Sequence, residues 1–192
     1  MSRALKQQLV GEQVRRLREA SGLSLRSLAK HTDFSASFIS QLEHGLVSPS
    51  INSMERIAGA LGVTLVEFFA ATANGLSGSV VRSAQRKRLA SSWSRGSIDS
   101  LAPLTPGCRL EPVLITLEPG GRSGKHPVAA PVEEFALVLA GGPLVTLGPD
   151  QHKLRVGDAV RILARELRLW QNPSKAKARI LIVSLRAALK SR

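Results

Sequence analysis

The spacing of apolar residues changes once along this chain, near Ala70, and that change constrains the fold more than any other feature. Before it, apolar residues recur every third or fourth position, the period of helices that bury one stripe. After it they come in short β-branched runs separated by Gly, Pro, Asn or Asp, the pattern of strands. The two periods need different packing layers, so the chain reads as an α + β protein of two domains. Its 192 residues agree with that division. The stretch Thr-Ala-Asn-Gly-Leu-Ser-Gly-Ser at 72–79 has the composition of a flexible connector. The expected layout is therefore a helical domain at 1–71, a linker at 72–79 and a β domain at 80–192.

Composition removes several classes. Hydrophobic residues make up 43% of the chain and charged ones 21%, enough apolar material to build a core rather than a disordered coil. The one cysteine, Cys108, has no partner for an internal disulfide, and residues 1–10 lack the apolar run of a secretory signal. The longest apolar run, near 180–185, is strand-length, far short of the ~20 residues a membrane-spanning helix needs. A cytoplasmic protein is expected. The net charge of +13 points to polyanionic partners. Residues 1–72 carry 8 basic against 6 acidic side chains, which leaves 19 against 8 to residues 73–192. The excess therefore lies in the β half, where a solvated basic surface explains it as well as a site does. The run Arg86-Lys87-Arg88 is read the same way, as a solvated strand edge or linker flank, with contact to DNA backbone as the alternative.

Within the helical half, Val10, Val14 and Leu17 share one face of a first helix that Gly22 ends. Ser24 caps a second helix burying Leu25, Leu28 and Ala29. A short turn of Thr32, Asp33 and Phe34 leads to Ser35, the cap of a third helix over 36–44. That helix buries Phe38, Ile39 and Leu42, while Ser37, Ser40, Gln41 and His44 form a polar stripe on the other face. Ser50 caps a fourth helix with Ile51, Met54, Ile57, Ala58 and Leu61 inward, and a short fifth is expected over 64–69. Two capped helices joined so tightly form a helix-turn-helix.

The phrases Leu-Ser-Leu-Arg-Ser-Leu-Ala from Leu23, Ser-Ala-Ser-Phe-Ile-Ser-Gln-Leu-Glu-His-Gly from Ser35, Ser-Pro-Ser-Ile from Ser48 and Leu-Gly-Val from Leu61 strongly resemble the XRE family of Cro-type repressor domains. The resemblance covers about sixty residues and implies a five-helix, lambda-repressor-like bundle whose third helix enters the DNA major groove. Small side chains at Ala36, Ser37 and Ser40 permit close approach. Gln41 pairs an amide with a carbonyl, the set that matches adenine, and is expected to be the main base reader, contributing roughly 1–3 kcal/mol of discrimination. Ser24, Arg26, Ser35 and His44 are placed for phosphate contacts; Ser24 and Ser35 serve as caps in any case. The resemblance also implies an ion pair between Arg18 and Glu43. Leu25 departs from the family, standing where many members carry a glutamine that touches DNA backbone.

In the β half, strand-like runs fall at 113–117, 135–139, 144–147, 159–163, 167–170 and 179–185, a pattern that fits a closed or double-sheet barrel. Glu-Pro-Gly-Gly at Glu118, Glu-Glu-Phe-Ala-Leu-Val-Leu-Ala-Gly at Glu133, Leu-Arg-Val-Gly-Asp-Ala-Val at Leu154 and Gln-Asn-Pro at Gln171 look like a cupin, a double-stranded β-helix or jelly roll. Cupin enzymes hold a transition metal with histidines and a glutamate. Here Val128 and Ala130 stand where the paired histidines would be and Arg168 at the third; Glu134 survives. His126, in a loop, and His152, read as lying in a turn, are solvated rather than ligating. No metal, cofactor or catalytic residue is expected. Alternation would turn Arg168 and Trp170 inward together. The effector-pocket expectation is Arg168 for an anionic or amino-acid-like effector, Trp170 as a wall and Glu134 as an amine contact. An internal Arg168 to Glu134 pair, or an outward Arg168, are the structural alternatives. The segment Gly-Gly-Arg-Ser-Gly-Lys-His at 120–126 echoes a phosphate-binding loop, but Pro119 and His126 break that motif and it reads as a turn.

These features converge on a bacterial, cytoplasmic, nucleoid-associated transcription regulator that is not an enzyme. It would bind double-stranded operator DNA as a homodimer, with recognition helices about 34 Å apart. Two other readings stand beside it: a cupin-type metalloenzyme, and a nonspecific nucleic-acid-binding protein drawing on the +13 charge.

Overall fold

The computed structural model of the chain describes residues 3–70, 80–102 and 109–185. The linker expected at 72–79 and Cys108 lie outside them. Helices α1 (Arg3–Ala20), α2 (Leu25–Thr32), α3 (Ala36–Glu43), α4 (Ile51–Ala60) and α5 (Leu65–Ala70) form the first half. Their starts follow local chemistry. The hydroxyls of Ser24, Ser35 and Ser50 accept from the backbone N–H groups of Ser27, Phe38 and Ser53, each at 3.0 Å. Asp33 turns the chain between α2 and α3 through a left-handed conformation, φ 52°. Val14, Leu28, Ile39, Leu42, Met54 and Ile57 are buried together between the helices.

Two features draw α1 onto α3. Gly11 leaves no room for a side chain, since a Cβ there would lie 2.3 Å from the Leu42 carbonyl oxygen. Arg18 then forks onto Glu43, Nε to Oε1 at 2.7 Å and Nη2 to Oε2 at 2.9 Å, while its Nη1 donates to the Leu23 carbonyl. Glu43 is nearly buried, so the pair neutralises a carboxylate that would otherwise be costly inside the bundle.

The second half is antiparallel throughout. A six-stranded sheet runs in the order β1 (Lys87–Ser91), β2 (Gly96–Ser100), β3 (Leu110–Leu117), β10 (Ala178–Leu185), β5 (Glu134–Ala140) and β8 (Ala159–Ile162). A four-stranded sheet has the order β4 (Val128–Ala129), β9 (Leu167–Gln171), β6 (Leu144–Leu147) and β7 (Asp150–Lys153). Their inner faces meet around Ile98, Leu117, Val138, Val145, Ile162, Trp170 and Ile180. The six runs expected from sequence are β3, β5, β6, β8, β9 and β10. Strands β1, β2, β4 and β7 were not expected, and β7 places His152 opposite Val145 in a strand, not in a turn. The basic run at 86–88 opens β1, and Arg88 forks onto the buried Asp99 of β2 at 2.6 and 2.7 Å. No described helix is long and apolar enough to cross a membrane.

Replacing Glu43 by Ala leaves Arg18 without its partner inside the bundle. The change should lower unfolding free energy by about 3 kcal/mol, read from urea denaturation followed by helical circular dichroism.

Candidate functional site

The first surface is the exposed side of α2 and α3. Ser24, Arg26, Ser35, Ser37, Gln41 and His44 are exposed, with Ala36 and Ser40 half-buried between them. Capping uses only an oxygen lone pair, so the Ser24 and Ser35 hydroxyls keep a proton to donate. Gln41 Nε2 lies 3.4 Å from Ser37 Oγ, a loose contact that leaves its amide available. His44, just past the end of α3, sets Nδ1 2.7 Å from the Ser40 carbonyl oxygen. A carbonyl only accepts, so the proton sits on Nδ1 and Nε2 faces outward. Leu25 is half-buried and packs on the helical core, so the position where the family's glutamine would reach out has gone to packing.

The second region lies in the β half. The three residues expected to line a pocket come together: Glu134 on β5, and Arg168 and Trp170 on β9, are 4%, 5% and 1% exposed. Arg168 lies opposite Val128 in the β9 to β4 register. Its Nε and Nη2 donate to the two oxygens of Glu134 at 2.6 and 2.8 Å. The internal pair weighed from sequence is thus formed, and a third member was not foreseen: Nη2 also donates to Glu55 Oε1 at 2.7 Å. Glu55 belongs to α4, so this triad crosses between the two halves. Burial pulls the Arg168 pKa down, but the charge of Glu55 and the hydrogen bond and charge of Glu134 outweigh it and hold the group above the ordinary arginine value. Among the described residues no three of His, Cys, Asp or Glu converge as a metal would require. His126 and His152 are exposed.

The triad sits in a wider polar seam. The first two N–H groups of α4, at Ile51 and Asn52, donate to Ser94 Oγ at 3.0 Å and the Ser123 carbonyl at 2.9 Å. Asn52 Nδ2 donates to the His126 carbonyl, Ser91 Oγ to the Pro49 carbonyl, and Ser92 N to Ser48 Oγ. Thr64 donates its hydroxyl to Glu111 at 2.7 Å. A Cβ on Gly124 would stand 2.4 Å from Asn52 Nδ2, so the loop needs glycine to lie against α4. The glycine-rich segment 120–126 is thus a cradle for a helix end. No local signal marked Asn52, Glu55, Ser94 or Ser123: on α4, Asn52 and Glu55 occupy the face that sequence pattern reads as solvent-facing.

Comparison with known proteins agrees with both halves. Residues 9–68 match the family described as helix-turn-helix domain, and residues 113–184 the cupin domain. The HTH-type transcriptional regulator PuuR of Escherichia coli (strain K12) is 26% identical over 172 residues, 89% of this chain and 91% of that protein. The HTH-type transcriptional regulator DdrOP3 of Deinococcus deserti is 30% identical over 95 residues, 44% of this chain and 74% of that one. Among solved structures, an HTH_3 family transcriptional regulator from Vibrio cholerae superposes with a TM-score of 0.75 at 25% identity, over 97% of this chain and 99% of that one.

Arg168→Met strands two carboxylates, one of them fully inside the barrel. It should cost about 3–5 kcal/mol in thermal or urea unfolding. Adding Glu134→Gln and Glu55→Gln to it should recover most of that loss.

Proposed function

This chain belongs to the helix-turn-helix transcriptional regulators with a C-terminal cupin domain, and we propose that it reads a near-palindromic operator as a homodimer, with its barrel sensing a small molecule. The observation that carries the reading is the α3 stripe: Ser37, Ser40, Gln41 and, just past the helix end, His44 lie on one side, with the small Ala36 beside them, while the other face is locked into the bundle. Gln41 reads adenine in the major groove, and Ser24, Arg26, Ser35 and His44 take phosphates and set the register. In finer terms, residues 1–71 are a lambda-repressor-like unit, 72–79 a linker and 80–192 a cupin double-stranded β-helix. The barrel senses and does not catalyse, since Val128, Ala130 and Arg168 occupy the ligand positions of cupin enzymes. The protein acts on DNA in the bacterial cytoplasm, at the nucleoid.

Dimerisation is supported by the outer face of the six-stranded sheet. A sheet with one wet face alternates apolar and polar residues, whereas β5 and the adjoining part of β10 are apolar on their outer face as well. Phe135, Leu137 and Leu139 of β5 point away from the core, and Val183 and Leu181 of β10 lie opposite Phe135 and Leu137 in the register. Phe135 and Leu139 are 48% and 43% exposed. A contiguous apolar face on a central strand pair suits a second copy of the same sheet, in the self-complementary contact a two-fold dimer makes.

Two outcomes are expected. Selection from a random DNA pool at about 150 mM salt, where nonspecific binding is weakened, should return a two-fold symmetric motif. Gln41→Ala should relax one position of each half-site by roughly 1–3 kcal/mol. Uniform affinity across sequences with a steep salt slope would instead mark a nonspecific binder. Separately, Phe135→Glu with Leu139→Glu should give a folded monomer in sedimentation velocity, with weakened binding to the symmetric site; a dimer that survives both changes places the interface elsewhere.

A further inference from the structure

One arginine joins the two halves of this molecule, and its guanidinium is only partly engaged. Glu134 takes Nε and Nη2 side by side. Glu55 takes a bond from Nη2 alone, and Nη1 donates to no described residue. The Nη1–Nη2 edge, which matches the two oxygens of a carboxylate, therefore carries one hydrogen bond where its geometry offers two.

Arg168, Glu55 and Glu134 all line a cavity of about 380 Å³ between α4 and the mouth of the barrel. That volume lies toward the lower end of the roughly 300–1,000 Å³ common for small-molecule sites. Most of the remaining wall is apolar, with Ile98, Val113, Ile115 and Ile182 from the barrel and Ile51 and Leu65 from the helices; of the polar residues that also line it, Glu111 accepts from the Thr64 hydroxyl at 2.7 Å. Two lining residues hold buried polar atoms without partners: Trp170 Nε1, a donor, and Asn52 Oδ1. Native interiors rarely strand such atoms. Together with Arg168 Nη1, the Trp170 N–H makes two donors without an acceptor among the described residues. The Arg56 guanidinium is directed elsewhere, donating to the Thr32 carbonyl and lying 4.6 Å over the Phe34 ring.

We propose that this cavity is the site of a small monocarboxylate with an apolar body, whose carboxylate takes the Nη1–Nη2 edge of Arg168 in place of Glu55. The exchange replaces one carboxylate by another, so the charge around Arg168 does not change, and the single Glu55 bond gives way to a two-pronged one. Glu55 has an exit, since its side chain is 23% exposed against 4% for Glu134. Because Glu55 is part of α4, the exchange also breaks the charged tie between the barrel and the DNA-reading half. Cavity occupancy and operator affinity are then linked, each changing the other by the same factor. This linkage rests on the function proposed above; the binding chemistry does not.

The test uses the full chain, thermal shift and titration calorimetry. The probes are monocarboxylates of about four to ten carbons, straight, branched and aromatic, sized to the cavity, set against the amides and amines of the same skeletons. Carboxylates should raise the melting temperature, and their amides and amines should not. Glu55→Gln removes the charged competitor and should tighten carboxylate binding by about fivefold or more, while Arg168→Gln should abolish it. Should Arg168→Gln fail to fold, Glu55→Gln still decides. No carboxylate binding, preferential binding of the amines, or an unchanged or weaker affinity in Glu55→Gln would each overturn the proposal. A chain that binds the carboxylate but selects no operator refutes the DNA reading and leaves the site standing. Equal operator affinity with and without a bound carboxylate refutes the linkage.

Discussion

The first turn of α4 is finished by the other half of the chain, and the arrangement of the molecule follows from that. A helix begins with N–H groups that its own backbone does not satisfy. Ser50 answers one of them on α4, but those of Ile51 and Asn52 find acceptors only at Ser94 and Ser123 of the β half. Hydrogen bonds are directional, so these fix the angle as well as the distance of approach. One turn further along, the same geometry brings Glu55 to Arg168. Helix α4 packs in turn on α2, which packs on α3. A continuous path of contacts therefore runs from the barrel interior to the outward stripe of the third helix.

The triad at Arg168 shows why a buried charge is not a simple adhesive. Taking a guanidinium out of water is expensive, and its carboxylate partners repay that cost only with good geometry. Glu134 has that geometry, being bidentate and almost wholly enclosed. Glu55 does not, with one bond and a partly wet side chain. The two carboxylates thus differ in how readily they part from Arg168, and the weaker one is on α4, the helix that packs against α2. Structures that respond to a signal commonly place such a weak contact between two well-made bodies.

What was legible in the sequence was local. Ser24, Ser35 and Ser50 announce helix starts because a cap needs only its own next three residues, and the buried faces of α2, α3 and α4 follow from spacing. In the β half, strands with apolar alternation were readable. Strand β7, Asp-Gln-His-Lys, was not, because all four residues are exposed and have no apolar period; β4 has two residues and no period at all. At the site, alternation brought Arg168 and Trp170 inward together, and the Glu134 partner was among the readings. Glu55 was out of reach, since 113 positions separate it from Arg168 and nothing in α4 distinguishes it from a solvated carboxylate.

Around the first turn of α4 the seam between the halves rests largely on the shortest polar side chains and on backbone: Ser48, Ser91, Ser92, Ser94, Ser123 and the bare Gly124. Such contacts tolerate little change, since a serine hydroxyl has no slack and Gly124 has no space for a methyl group. Their consequence is genetic. Lesions at Ser94, Ser123 or Gly124, in the β half and outside α2 and α3, would be scored in a reporter screen as failures of DNA binding. A map of such alleles would trace the α4 cradle and the outward stripe of α3 as one functional region.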